Sequence, residues 1–158
     1  MPPKPLVDFR EFDLDHVEFG PEGIRARNPQ RYEFELLENV LAFRPDESLI
    51  IGDYHARPDA FWVRGHIPGR PIMPGVLLIE LAAQLCSFYW RAAFPDEKRF
   101  FGFGGIDHAR FRGEVVPGDR LIVVGKSIQL KTRRAIFDTQ GFVDGSMVYE
   151  SRVMGLPL

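Results

Sequence analysis

The sequence predicts an α+β fold in which an antiparallel β-sheet wraps around one long, central, apolar helix. Two observations predict it. The run "GVLLIELAAQLCSFYW", Gly75–Trp90, carries Glu80 as its only charge and is apolar nearly all round, so other structure must enclose it. The remainder of the domain reads as about six short β-branched or aromatic runs broken by turn residues, and an antiparallel sheet curled around the helix is the economical enclosure.

Residues 1–28 read as an N-terminal extension, and residues 29–158 as the domain. The extension is acidic and proline-punctuated, without the apolar segment of a secretory signal. Its apolar positions (Phe9, Phe12, Leu14, Val17, Phe19) are too sparse to fold alone. It packs on the domain, packs on a partner or stays disordered. Next, "FELLENVLAF" and "SLIIGDY" read as two strands joined by the turn "RPDE". A loop rich in glycine and proline, "GHIPGRPIMPG", leads into the helix. After it, "FFGFGGI", "LIVVGKSIQL", "AIFDTQGFV" and "MVYESRVM" read as strands. Asp144-Gly145 has the composition of a hairpin turn, and "VPGD" at 116–119 that of another. A wrapped sheet leaves edges that invite pairing with a second copy, so at least a dimer is expected.

A chain of 158 residues suits one domain with a proper core, and 45% hydrophobic with 27% charged residues is ordinary for a globular protein. A net charge of -2 gives no global field to recruit nucleic acid. The apolar run after the opening prolines holds roughly 15 residues, short for a membrane span, so no membrane partner is expected. Cys86 is the only cysteine and reads as a small buried thiol, which fits a cytoplasmic location.

The chemistry concentrates where the loop meets the helix. Glu80 lies in an apolar run, where ionisation is costly, and a carboxyl that keeps its proton can act as a general acid. A buried glutamate held by an ion pair or backbone hydrogen bonds fits the same position. Gln84 lies one turn on, at i+4, able to orient that carboxyl. His66 is a candidate general base, because Pro68, Pro71 and Pro74 stiffen the segment that carries it toward the helix. A solvated loop histidine is the alternative, and His16, His55 and His108 read as surface or structural. "PGV" at 74–76 opens the helix with unpartnered N–H groups. The amide of Gly75, beside Val76, can polarise a carbonyl, or the glycine serves only the turn. A base, an acid and a polarised carbonyl together describe elimination of water from a β-hydroxyacyl thioester. That reaction requires no cofactor and no metal, and the sequence offers no ligand set, phosphate loop or nucleophile elbow for another chemistry.

"GHIPGRPIMPGVLLIELAAQ" resembles the active-site signature of the β-hydroxyacyl-[acyl-carrier-protein] dehydratases of the FabZ type. The resemblance continues through "FGFGGIDHARFRGEVVPGDRLIV" and "KTRRAIFDTQGFVDG" and covers about residues 29–154. It implies a hotdog fold, His66 as catalytic base, Glu80 as acid and Gly75 as the amide for the thioester carbonyl. Glutamate at 80, rather than aspartate, favours the plain dehydratase over the related dehydratase/isomerase type. The resemblance also implies a homodimer whose active sites are shared, His66 of one chain facing Glu80 of the other, and a hexamer as a trimer of dimers. The acyl chain would enter a tunnel at the dimer interface, with Phe100, Phe101 and Phe103 near its gate or packed in a strand. An acidic acyl carrier protein would dock on a basic patch drawn from Arg110, Arg112, Lys131, Arg133 and Arg134. Gln30 and Glu33 depart from the histidine and proline usual in "PQRYEF". The competing readings are a hotdog thioesterase or CoA hydratase, and a non-catalytic acyl-binding subunit.

Overall fold

The computed structural model describes residues 3–158. A short helix α1 (Pro21–Arg25) precedes strands β1 (Asn39–Arg44) and β2 (Leu49–His55). Helix α2 (Gly75–Ala93) follows, and then β3 (Phe101–Phe111), β4 (Arg120–Lys131), β5 (Arg134–Val143) and β6 (Ser146–Pro157). The strands form one antiparallel sheet of six in the order β1-β2-β4-β5-β6-β3, wrapped around α2. The expected architecture is therefore present, with β1 and β3 at its edges.

Helix α2 is long and apolar enough to cross a membrane by length and composition, yet most of it is enclosed by the sheet. Leu81, Ala82, Leu85, Phe88 and Trp90 are fully buried against it. The Trp90 ring stacks on Phe101 at 4.9 Å, and Tyr89 meets Phe43 and Phe137 edge-on at 5.0 and 5.3 Å. Truncating one such aromatic to alanine costs about 3–5 kcal/mol, so this cluster fixes the helix in the sheet. The helix runs three residues beyond Trp90 and stops before Pro95, which has no N–H to continue it.

Two strand boundaries differ from expectation for identifiable reasons. The first strand begins at Asn39 rather than at Phe34, because the buried Gln84 Oε1 accepts the N–H groups of Leu36 and Leu37 at 3.2 and 3.1 Å. Those amides are thereby drawn onto the helix and out of the sheet ladder. Strand β3 runs on to Phe111 through a bulge between Asp107 and Arg110, where His108 has φ 55°. The hairpin at Asp144 and Gly145 is as expected, with φ of 48° and 78° suiting a tight turn of right-handed twist.

The N-terminal extension packs on the domain. Leu6, Val7, Phe9, Phe12 and Leu14 cover the outer sheet face at Leu41, Leu49, Ile51, Val124 and Phe142. Phe9 meets Phe142 edge-on at 4.9 Å, and the Leu6 N–H donates to Gln140 Oε1 at 2.8 Å. Phe19 adds a bridge to Val40 at the β1 edge. Sparse apolar residues thus find a ready-made apolar surface that they could not have built alone. Phe9→Ala should lower unfolding stability by about 2 kcal/mol, roughly half the cost for a fully buried ring, because Phe9 is only partly covered. Urea unfolding followed by circular dichroism checks this, and an unchanged midpoint would mean that the extension is merely laid on the sheet.

Candidate active site

His66 sits in the loop 56–74 that joins β2 to α2. Buried Trp62 anchors that loop, its indole N–H donating to the Tyr54 hydroxyl at 3.0 Å. The loop's ends are pinned where Ala56 N–H donates to Asp119 O at 2.9 Å and Met73 N–H to Val115 O at 2.8 Å. The His66 amide donates to Trp62 O at 3.0 Å, and its ring Nδ1 lies 2.6 Å from Ile72 O. A carbonyl can only accept, so Nδ1 carries a proton there. In the neutral ring Nε2 then holds the free lone pair, as a general base requires. The His66 side chain is exposed, so that lone pair is reachable.

Glu80 is half-buried on the first turns of α2, not sealed in the core as a lone acid in an apolar run suggested. The fully buried carboxylate is Asp53, held by Arg120 at 3.0 Å and by the Asn39 amide at 2.9 Å. Gln84 does orient Glu80, donating from Nε2 to its Oε1 at 2.9 Å. The same Nε2 donates to Phe34 O at 2.7 Å, while Oε1 accepts from Leu36 and Leu37. Every polar atom of the amide is used, so its orientation is fixed.

No side chain caps the N-terminus of α2, where Pro74 is the N-cap. A Cβ on Gly75 would lie 2.9 Å from the Phe111 ring. Glycine is therefore needed for that ring to close over the helix start, a contact with no signal in the sequence. Two cavities open on Glu80. An apolar groove of about 390 Å³ runs past Val76, Ile79, Phe103, Ile106 and Phe111. A narrower pocket of about 50 Å³ lies between α2, the start of β3 and the end of β6, bordered by Gln30, Gln84, Ser87, Phe101 and Phe103. His66 borders neither.

The candidate aromatic residues separate by role. Phe101 is 8% exposed and locked by its stack on Trp90, so it is a packed wall. Phe103 is 51% exposed and borders both cavities, and Val76, 74% exposed, stands at the groove mouth. Phe100, also exposed, borders neither. Ser87, seven residues beyond Glu80, shares its helix face and borders the same pocket, a relation that the spacing alone carries.

The five candidate basic residues do not form one patch. Arg110 and Arg112 border a polar groove on β3 and β6 together with His108 and Arg152, and Arg112 is paired with Glu150. Lys131, Arg133 and Arg134 lie at the β4–β5 hairpin, whose neighbouring Ala135 pairs with Gly155. Arg110 pairs with Glu150, five residues back along β6, which is roughly 17 Å at the strand rise. The Cys86 thiol is pushed well above its ordinary value by burial, which removes it as a nucleophile. Among the described residues, Glu38, Asp53 and His55 bring possible metal-ligating atoms within 4.8 Å of one another. Arg57 and Arg120 already neutralise their carboxylates, so that cluster is an ion-pair network.

The FabA-like domain family matches residues 28–152. The 3-hydroxyacyl-[acyl-carrier-protein] dehydratase FabZ of Desulfotalea psychrophila is 34% identical over 84% of this chain and 89% of its own. The FabZ of Shewanella loihica is 36% identical over 80% and 84%. A bifunctional LpxC/FabZ enzyme of Chlorobaculum tepidum is 36% identical, and the match spans 30% of that longer protein. Among solved structures, the dehydratase heterocomplex ApeI:P from Xenorhabdus doucetiae superimposes with a TM-score of 0.73 at 15% identity, over 85% of this chain and 90% of that one. A mutant thioesterase from Pseudomonas aeruginosa gives 0.67 at 17% identity over 92% and 100%. Identities that low speak to the fold alone, and the fold is the hotdog. The sequence relatives go further: this chain belongs to the FabA-like family and, within it, to the FabZ-type 3-hydroxyacyl-[acyl-carrier-protein] dehydratases.

Proposed function

We propose that the chain removes water from 3-hydroxyacyl chains carried on acyl carrier protein, giving the trans-2-enoyl thioester, in acyl-chain synthesis. What supports this reading is that each group is held ready in its own place: an exposed imidazole with Nε2 left free by the Ile72 carbonyl, and a carboxyl fixed at a cavity wall by Gln84. His66 Nε2 removes the proton from C2, and the electron pair becomes the C2=C3 double bond. The C3–O bond breaks, and the carboxyl of Glu80 protonates the departing hydroxyl as water. The uncapped Gly75 amide takes the negative charge that builds on the thioester oxygen. The thioester itself stays intact, which separates this reaction from that of a hotdog thioesterase. A non-catalytic binding subunit would need neither His66 nor Glu80.

The working unit in this proposal is a homodimer with two shared sites. Two observations support it. His66 borders neither cavity that Glu80 opens on, and β3 is a free sheet edge carrying the exposed Phe103, Ile106 and Phe111. An eleven-residue edge with exposed apolar side chains calls for a partner strand. A second copy laid along β3 would cover the apolar groove and bring its own His66 loop toward Glu80. Assembly of dimers into a hexamer remains part of the proposal at the next level. Docking of the acidic carrier falls to Arg110 with its neighbours on β3 and β6, or to the β4–β5 hairpin, and a cytoplasmic location completes the reading.

His66→Ala and Glu80→Gln should each lower turnover of a 3-hydroxyacyl carrier thioester by about 10²-fold or more, with the melting temperature retained. Near-wild-type rates in either would remove the acid–base assignment. Mixing the two inactive variants under subunit exchange should restore about a quarter of wild-type activity, because half of the dimers then hold one intact site. No recovery would place both groups in one chain. Gln84→Leu should strand the Leu36 and Leu37 amides at about 1–3 kcal/mol each and also release Glu80. A lower melting temperature with kcat reduced more than KM is raised is expected, and an unchanged kcat would deny the tether a catalytic effect.

A further inference from the structure

Four buried side-chain polar atoms have no hydrogen-bond partner among the described residues, and two of them, Gln30 Oε1 and Ser87 Oγ, belong to residues that border the same pocket. An unpaired buried polar group costs about 1–3 kcal/mol, so two at one place call for an occupant that satisfies them. Ser87 is 3% exposed, and as part of a helix its hydroxyl had a carbonyl one turn back within easy reach. It makes no such bond.

The pocket is an inward continuation of the acid's position. Glu80, Gln84 and Ser87 follow one another at i, i+4 and i+7 along a single face of α2, a polar stripe on an otherwise apolar helix. Ser87 lies roughly 10 Å beyond Glu80 along the axis, at about 1.5 Å per residue. Phe101 also borders the pocket, and the stack on Trp90 prevents it from swinging aside. A volume of about 50 Å³, only a few water-sized positions, describes a slot one chain wide rather than an open chamber. A plain hydrocarbon end placed there would bury both polar atoms unpaired.

We propose that Gln30 and Ser87 form a distal polar subsite of the acyl channel, which selects a chain carrying a second hydroxyl group over a plain alkyl chain. The hydroxyl donates to Gln30 Oε1 and accepts from the Ser87 O–H, so one group satisfies both. Its position follows from the helix: roughly eight bonds beyond C3, taking the ~3.6 Å that an extended chain advances over three bonds. This proposal rests on the dehydratase reading.

The test compares two 3-hydroxyacyl carrier thioesters of equal length, one plain and one with a second hydroxyl about eight carbons beyond C3. Enoyl formation is followed on both, with the wild type, Ser87→Ala and Gln30→Leu. The wild type should favour the hydroxylated chain by about tenfold in kcat/KM, the worth of one to two net hydrogen bonds. Each variant should lose that preference through the hydroxylated chain and gain rate on the plain one. Ser87→Ala removes a single oxygen, and its melting temperature should be equal or higher, which keeps the result readable should Gln30→Leu fold poorly. Equal kcat/KM for both chains in the wild type, or a preference untouched by Ser87→Ala, overturns the subsite while leaving the dehydratase in place. That pattern marks the two atoms as partners of ordered water. Failure of the wild type to dehydrate either chain overturns both readings together.

Discussion

Much of this structure turns on one buried amide. Gln84 uses both hydrogens and both lone-pair directions of its side chain, binding Glu80, the Phe34 carbonyl and the Leu36 and Leu37 amides. Such an amide cannot rotate without breaking several bonds in a low-dielectric setting, where each is expensive to lose. It therefore does two jobs through one geometry. It holds the segment before β1 down on the helix, closing the wrap, and it points one oxygen of the acid in a fixed direction. Fold and site share a fastener, and a substitution there should be felt in both.

That sharing explains which parts of the molecule were legible from residues alone. The apolar run of α2 and the alternating strands carry their own period, and hydrophobic burial dictates their partners. The loop of His66 was legible because proline and glycine announce a rigid, special backbone. Phe34–Leu37 was not, for its composition matches a strand and only the later Gln84 withdraws it from the sheet. An acid alone in an apolar helix suggests burial at Glu80, although Asp53, placed in a strand and matched by a distant Arg120, is the one that is sealed. Sequence spacing on a helix translates into shared faces; spacing across a sheet does not. The dispersal of the five basic residues over two regions follows from the same limit, since strand register decides their separation.

The N-terminal extension illustrates a different dependence. An antiparallel sheet wrapped on a helix has an inner face for the core and an outer face that should be polar or covered. Here the outer face bears Leu41, Ile51, Val124 and Phe142, and the extension supplies the cover within the same chain. An apolar outer face left open would have been an association surface. Its occupation leaves the β3 edge and the groove beside Val76 as the prominent apolar surface still unpaired. That remaining apolar surface lies on the side of Glu80.

The polar stripe on α2 then has a consequence for what the site can accept. A helix buried in a sheet is most stable when its inward faces are apolar, and each polar atom on them must be matched. Glu80 and Gln84 match one another. Ser87, a turn deeper, has no partner among the described residues, and neither has the Gln30 oxygen at the same pocket. A helix that needed only packing would carry alanine there at no cost in volume. In the proposed subsite, a guest that reaches past the acid and brings a hydrogen-bonding group recovers the stability forfeited at those two atoms, and a plain hydrocarbon does not, which is a basis for selection.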